Sequence, residues 1–469
     1  MISISFESGT IVVEHPPARL PQYFEFDERV GKWRALAFHY PAFLKFLESR
    51  SIPVAKPIAK YSKLNLRLAV DREPHPYQEE ALAKWSENGC RGTVILPTGA
   101  GKSYLAVKAM EHRDVDTLVV VPTIDLMTQW YSLLTSSFDR EVGLLGGGYH
   151  EILPITITTY DSAYIHIDKY GDRFGLLIFD EVHHLPTRKY SHIPQMSIAP
   201  YRLGLTATYE RSDESHQLLD EMIGAPVYRK GIKELKGSYL ADYEVYRIWV
   251  ELNEKEMAEY EKWDAVYKGY MKKNDLKLFK KGWEEFIKKS GYDFEARKAL
   301  RAFQLSREIA LSAQNKFRVL ETLLEENSRE RILIFTENNE IVYRISEAFL
   351  IPAITHQTKT KERKWILDKF REGTYYAIVT SKVLNEGVDV PEAGVAIILS
   401  GNAQSREHIQ RLGRILRKRE GKLAVLYEVI TMSTRERVVS YRRRQNEVYF
   451  AAESSTRYDR EPKDGPEYY

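Results

Sequence analysis

The sequence predicts an α/β protein: two tandem parallel-sheet domains, a small α+β unit in front, and a helical insertion between them. Three observations carry that expectation. Between residues 66 and 235, apolar runs at 93–96, 118–121, 155–157, 176–179 and 203–205 alternate with polar or helix-patterned stretches, the rhythm of strands joined by crossover helices. A second series, Ile332 to Phe335, Ala377 to Val379, Val395 to Leu399 and Ala424 to Tyr427, starts near residue 330. At 469 residues the chain also exceeds what one hydrophobic core organises.

Residues 1–65 read as the leading unit. Ile2 to Phe6 and Thr10 to Val13 flank Ser8-Gly9 as a hairpin, Phe24 to Asp27 and Trp33 to Phe38 form a further pair, and Pro41 to Ser49 has helical character. Residues 66–235 form the first α/β domain and 306–440 the second. Residues 236–305, rich in Lys, Glu and aromatic side chains, read as helical, and 441–469, with Pro462, Gly465 and Pro466, as a disordered tail.

Bulk properties narrow the class. Hydrophobic content of 43%, charged content of 29% and a net charge of +3 are those of a soluble globular protein, so any basic surface must be local. Cys90 is the single cysteine, which excludes an internal disulfide and a Cys-rich zinc site, and it reads as a small buried apolar residue. No apolar run approaches a membrane span and Met1-Ile2-Ser3-Ile4 carries no charged leader, so the expected location is intracellular, cytoplasmic or nucleoid-associated.

The chemistry centres on Leu96-Pro97-Thr98-Gly99-Ala100-Gly101-Lys102-Ser103, between the run Thr93-Val94-Ile95 and a helical stretch. Strand, glycine-rich turn, Gly-Lys-Ser and helix is the context of a phosphate-binding loop, although Leu96 stands where the general pattern has glycine. Thr98, Gly99, Ala100 and Gly101 would wrap phosphate with backbone N–H groups. Lys102 would reach the β- and γ-phosphates, and Ser103 would ligate Mg²⁺. Downstream, Leu176 to Phe179 is continuously apolar, as suits a strand covered on both faces, and ends in Asp180-Glu181-Val182-His183. There Asp180 would hold Mg²⁺ and Glu181 would orient and deprotonate the attacking water. Together the two segments read as a site for ATP hydrolysis. In Gln410-Arg411-Leu412-Gly413-Arg414-Ile415-Leu416-Arg417, helical spacing puts Gln410, Arg414 and Arg417 on one face. Two guanidiniums there suit the charge of a phosphoryl-transfer transition state, or else a solvated basic helix.

The insertion leaves two readings open. Trp263, Tyr267, Tyr270, Trp283 and Phe286 could stack on bases while Lys272, Lys273, Lys280 and Lys281 track a phosphate backbone. Alternatively the rings pack a helical pair and the lysines solvate its outer face.

The ordered set Gln78, Gly99-Ala100-Gly101-Lys102-Ser103, Pro122-Thr123, Asp180-Glu181-Val182-His183, Thr206-Ala207-Thr208, Asn385-Glu386-Gly387-Val388-Asp389 and the Gln410–Arg417 segment resembles the superfamily 2 helicases. Leu205-Thr206-Ala207-Thr208, the Asp-Glu-Val-His-His box and Ile351-Pro352-Ala353-Ile354-Thr355-His356 look closest to the XPB family, whose short archaeal members this chain resembles in length. The resemblance implies two RecA-like motor domains, an N-terminal damage-recognition domain and a thumb formed by the insertion. It implies that Gln78 reads adenine, that Thr206, Thr208 and His183 couple the ATP state to domain movement, and that Gly387, Asp389 and Gln410 line the nucleotide cleft. Arg414 and Arg417 would approach the γ-phosphate. One element departs from the family. Its Arg-Glu-Asp, which here would place Arg211 on DNA, stands as Arg211-Ser212-Asp213.

The function expected from this resemblance is an ATP-dependent DNA helicase or translocase of 3′-to-5′ polarity in DNA repair or transcription, with DNA and a nuclease or repair complex as partners. Two alternatives stand beside it: a DNA-stimulated ATPase clamp that recruits a nuclease without processive unwinding, and an RNA helicase of related architecture.

Overall fold

A computed structural model describes residues 2–14, 16–17, 19–56, 58–69, 72–210, 214–235, 239, 242–276, 280–381, 393–400 and 423–444. The chain divides into two compact units, Met1–Gly231 and one beginning at Ile232.

The first unit opens with an antiparallel sheet of β1 (Ser3–Glu7), β2 (Thr10–Glu14), β3 (Glu25–Asp27) and β4 (Lys32–Leu36), ordered β1-β2-β4-β3. Ser8 (φ 47°) and Gly9 (φ 77°) join β1 to β2, the paired positive φ values that a tight two-residue hairpin turn requires. The strand expected to reach Phe38 stops at Leu36. A short 3₁₀ turn, Ala37–His39, replaces its end and feeds helix Tyr40–Ser49, whose Pro41 is pre-set for a helical start. Phe43 and Leu47 of that helix close on Ile4, Ile11 and Val13 of the sheet.

Residues 58–69 then run along the α/β domain as a pinned strap. The N–H groups of Lys60, Leu64 and Ala69 donate to the carbonyls of Asp172, Asp114 and Ser137. Beyond it lies a sheet of β5 (Arg91–Ile95), β6 (Thr117–Val121), β7 (Gly143–Gly146), β8 (Tyr149–His150), β9 (Ile155–Thr159), β10 (Leu176–Asp180), β11 (Tyr201–Thr206) and β12 (Pro226–Arg229). The order is β12-β5-β11-β10-β6-β9-β7-β8, parallel except for the β7–β8 pair. β6, β9 and β10 are buried along their whole length, as their apolar runs require. The edge strands β8 and β12, and β7 beside the first of them, escape the pattern because they are short and glycine-interrupted or half-exposed.

The second unit holds a wholly parallel sheet of β13 (Asp242–Val250), β14 (Ile332–Phe335), β15 (Ala353–Ile354), β16 (Ala377–Thr380), β17 (Val395–Ile398) and β18 (Leu423–Thr431), ordered β13-β18-β17-β14-β16-β15. Here the segment read as helical from 236 begins instead with a strand. β13 pairs with β18 from Asp242↔Leu423 to Val250↔Thr431. Its Tyr, Val, Ile and Trp favour strand, but Glu244 and Arg247 interrupt the apolar run, and its partner lies far along the chain. Helices Glu254–Lys273, Lys280–Tyr292 and Phe294–Leu311 follow. Asn253 starts the first of them in a reciprocal cap with Glu256. The last described helix, Arg435–Arg444, runs through residue 441, where the sequence predicts a disordered tail to begin.

Candidate active site

Three neighbouring parallel strands, β5, β11 and β10, bring the sequence motifs together at their carboxyl ends. Register puts Ile95 beside Thr206 and Leu205 beside Asp180, so the phosphate loop, the Thr-Ala-Thr box and the Asp-Glu box emerge side by side.

In the phosphate loop Gly99 (φ 86°) and Gly101 (φ 70°) both take left-handed backbone, which a side chain would strain. Gly101 caps helix Lys102–Arg113, and a side chain there would also collide with the Gln78 amide. Lys102 is 8% exposed, and its Nζ donates to the carbonyls of Leu96 (3.2 Å) and Pro97 (3.3 Å). Both of its hydrogen-bond acceptors are thus neutral backbone carbonyls. The buried Thr98 hydroxyl has no hydrogen-bond partner among the described residues, and Ser103 is half-buried on the first helical turn. An anionic polyphosphate would complete this donor set.

Asp180 ends β10. Its Oδ2 accepts from Trp130 Nε1 (2.9 Å) and its Oδ1 from the Glu181 N–H (3.0 Å). Burial pushes its carboxyl above the ordinary range, opposed by the Trp130 bond, the charge of Lys102 and the Glu181 amide. A bound cation would relieve that desolvation, so Asp180 and Ser103 fit Mg²⁺. Glu181 adopts φ 48°, unusual for a residue with a side chain, and so turns the chain into the 3₁₀ segment Val182–His184. Tyr160 supports the kink by donating to the carbonyls of Asp180 (3.1 Å) and Glu181 (3.4 Å).

His183 is fully buried, with Nδ1 3.0 Å from Thr206 Oγ1 and 3.3 Å from Glu181 Oε2. Thr206 Oγ1 donates to the Thr208 carbonyl (2.8 Å) and accepts the Thr208 N–H (3.1 Å). With the single hydroxyl proton given to Thr208, His183 Nδ1 is the donor to Thr206 Oγ1, and the Glu181 carboxylate lies beside it without hydrogen-bonding to it. The acid that would activate water and the threonines of the next motif therefore share one imidazole.

Gln78 is also buried. Its Oε1 accepts the His75 N–H (2.9 Å), while Nε2 donates to the carbonyls of Gly101 (3.2 Å) and Ala100 (3.4 Å). Sequence reasoning missed Tyr77, whose hydroxyl donates to the Ala100 carbonyl (2.8 Å), as well as Trp130 and Tyr160. An aromatic residue at a helix start or within an apolar helix carries no chemical signature of its own.

The aromatic side chains of the insertion resolve to the packing alternative. Tyr267, Tyr270 and Phe286 are buried in its core, with the half-buried Trp263 and Trp283 packed against them, so the three core rings are not free to stack on bases. Lys272 and Lys273 lie exposed at the end of helix Glu254–Lys273. Lys280 and Lys281 begin the next helix, their side chains outside the described residues. Arg211, Gly387, Asp389, Gln410, Arg414 and Arg417 also lie outside the described residues.

Fold and site define a helicase-type ATPase with two α/β motor domains. Residues 71–211 match the res subunit of type III restriction enzymes, 315–419 the helicase conserved C-terminal domain, and 4–55 the xeroderma pigmentosum group B helicase damage recognition domain. The DNA 3'-5' translocase XPB2 of Sulfurisphaera tokodaii is 42% identical over 423 residues, covering 90% of this chain and 95% of that protein. The DNA 3'-5' helicase XPB of Mycobacterium tuberculosis is 30% identical over 387 residues, covering 77% of this chain and 63% of that longer protein. The Hef helicase domain of Pyrococcus furiosus shares the fold, with a TM-score of 0.52 at 18% identity over 78% of this chain and 97% of that one. This chain belongs to the XPB helicase family.

Proposed function

We propose that this protein hydrolyses ATP to move 3′-to-5′ along DNA and separate its strands in repair or transcription. The observation that carries the reading is the hydrogen-bonded series His183–Thr206–Thr208 beside the Lys102 loop, with the Glu181 carboxylate 3.3 Å from the same His183 nitrogen. It links the group that would activate water to the motif that would pass the nucleotide state onward. The 42% identical relative carries a translocase name of the same polarity.

Lys102 and the loop amides of Thr98, Gly99, Ala100 and Gly101 hold the phosphates, and Glu181, oriented by His183, takes the proton of the attacking water. Mg²⁺ held by Ser103 and Asp180 would neutralise charge on the phosphate oxygens. Gln78 contacts adenine by exchanging its Nε2 bonds to the loop for bonds to the base. From the second motor domain, Arg414 and Arg417 meet the γ-phosphate, with Gly387, Asp389 and Gln410 lining the cleft. Arg211, Lys272, Lys273, Lys280 and Lys281 contact the DNA backbone, a nuclease or repair complex is the partner, and the nucleoid is the place of action. Residues 1–65, 66–235, 236–305 and 306–440 serve as damage-recognition domain, first motor, thumb and second motor.

A second reading rests on Ser212, which replaces the central carboxylate of the family's Arg-Glu-Asp element. In that reading hydrolysis is stimulated by DNA, yet the protein clamps and recruits rather than unwinds. Measuring ATP turnover and strand displacement on duplexes tailed at either end, with RNA as competitor, separates these readings. Turnover with displacement from the 3′-tailed duplex supports the first. DNA-stimulated turnover without displacement supports the clamp, and preferential stimulation by RNA overturns both.

A further inference from the structure

We infer that residues 182–205, between the Asp-Glu and Thr-Ala-Thr boxes, form a stiff connector that carries the nucleotide state to the N-terminal sheet, with Arg202 as its positioning residue. This inference rests on the ATP site proposed above.

Both ends of the connector lie at that site. Glu181 and His183 lead into it, Thr206 and Thr208 follow it, and the His183–Thr206 bond ties the ends together. Its middle is seated on the N-terminal unit. Helix His192–Gln195 packs against the turn Ala37–His39. Met196 fills the space over Gly9, where an added Cβ would fall 2.6 Å from Met196 Cγ. Ile198 is fully buried in the same apolar cluster as Ile4, Ile11 and Phe43. The Ile198 N–H (3.0 Å) and the Ser197 hydroxyl (3.1 Å) both donate to the Gly171 carbonyl, and the Phe6 ring of β1 closes over Gly171.

Arg202 holds the bend between these seats. It is 1% exposed, and no carboxylate pairs with it among the described residues. Its guanidinium donates instead to backbone carbonyls: Nε to Ala199 (3.2 Å), Nη2 to Pro194 (3.0 Å) and Ser197 (3.1 Å), and Nη1 to Met222. Burial, with the nearby charge of Arg91, pushes it down to about 9, so it stays charged at neutral pH. Pro194, Ser197 and Ala199 belong to the connector, whereas Met222 lies beyond β11. The planar fork therefore ties the bend to itself and to a neighbouring element, a geometry that an ammonium group cannot reproduce.

A segment pinned at both ends and in the middle cannot absorb a displacement by local bending. Packed interiors pass such strain on rather than dissipate it. A shift of the Glu181–His184 turn on exchange of ATP for ADP must then reach Met196 and Ile198, and through them β1 and β2. Linkage makes the effect mutual, so a ligand of the N-terminal unit must change nucleotide affinity by the same factor.

Hydrogen exchange at the Ile11, Val12 and Val13 amides, measured on the full chain with ADP and with a non-hydrolysable ATP analogue, tests the connector. The two nucleotides should give rates differing by about fivefold or more, the lower end of typical coupling. Met196→Ala should shrink that difference below about twofold while the KM for ATP stays within about twofold, because it unseats the connector without touching the nucleotide. Arg202→Lys should shrink it as well, and Met196→Ala carries the test should Arg202→Lys not fold. Equal rates with both nucleotides in the parent chain, or an undiminished difference in Met196→Ala, overturn the inference and leave the ATPase intact. A parent chain that binds neither nucleotide overturns the ATP site itself, and the inference with it.

Discussion

Two buried lysines, one in each unit, separate what a charge does for a fold from what it does for a ligand. Lys316, on helix Gln314–Glu326, is 1% exposed. Its Nζ reaches both carboxylate oxygens of Glu436 (2.8 and 2.7 Å) and the carbonyl of Leu399 (2.6 Å). Glu436 in turn accepts the Thr431 N–H (3.0 Å). Lys102 also lies in the first turn of a helix and touches the carbonyl just beyond a strand, but its hydrogen bonds go to neutral carbonyls. Similar placement gives different partners. The charge paired with Glu436 fastens β18 and helix Arg435–Arg444, whereas the Lys102 ammonium hydrogen-bonds only to backbone carbonyls, with Asp180 acting on it through space, and in the proposed function it meets phosphate.

The sharpest way to break this comparison is to remove Lys102. Lys102→Ala should lower ATP hydrolysis by about 10³-fold or more, with the thermal unfolding midpoint little changed. Turnover within tenfold of the parent would falsify the phosphate role. Glu181→Gln sharpens the same point: steady-state hydrolysis should fall about 10²–10⁴-fold while equilibrium binding still detects the nucleotide.

Lys316 should behave in the opposite sense. Lys316→Met strands the buried Glu436 carboxylate and should cost about 3–5 kcal/mol in chemical denaturation of the second unit. Adding Glu436→Leu should recover most of that loss, since an apolar pair of similar volume replaces a desolvated ion pair. If Lys316→Met left the unfolding free energy unchanged yet silenced hydrolysis, Lys316 would belong with Lys102.

The lysines of the insertion make a third class with the smallest effect. Replacing Lys272, Lys273, Lys280 and Lys281 by Ala should leave folding untouched. DNA binding should weaken regardless of sequence, and the log–log salt slope should flatten by about 0.7–0.9 per lost phosphate contact. An unchanged slope in a binding titration returns these residues to plain solvation of the helical bundle.

Much of the site is legible in the amino-acid sequence. The phosphate loop and the Asp-Glu box are contiguous stretches whose chemistry needs glycine, lysine and carboxylate at fixed local spacing, so Lys102, Ser103, Asp180 and Glu181 announce themselves. Adjacent placement of β5, β11 and β10 follows less directly, because strand order depends on crossovers rather than on any one run. Tyr77, Trp130 and Tyr160 stay hidden because their hydrogen bonds span 20 to 50 residues. The rings of the insertion show the converse. Aromatic and basic residues interleaved along a helix suit nucleic acid and a packed bundle equally, and only the burial of Tyr267 and Phe286 chooses between them.

By itself, then, the sequence determined the parallel-strand class, the glycine-rich turn ahead of Lys102 and the acid pair that ends β10. Each depends on the periodicity or backbone freedom of neighbouring residues, and those are written locally. Only the tertiary structure decided that Lys316 is paired with a carboxylate while Lys102 hydrogen-bonds to carbonyls, that Asp242–Val250 is a strand, and that Arg202 ties Pro194, Ser197 and Ala199 to Met222 while Met196 packs over Gly9. These outcomes depend on groups brought together across the chain, Glu436 to Lys316, Leu423 to Asp242, Gly9 to Met196. The worth of a charge or an edge is set by what folding places beside it.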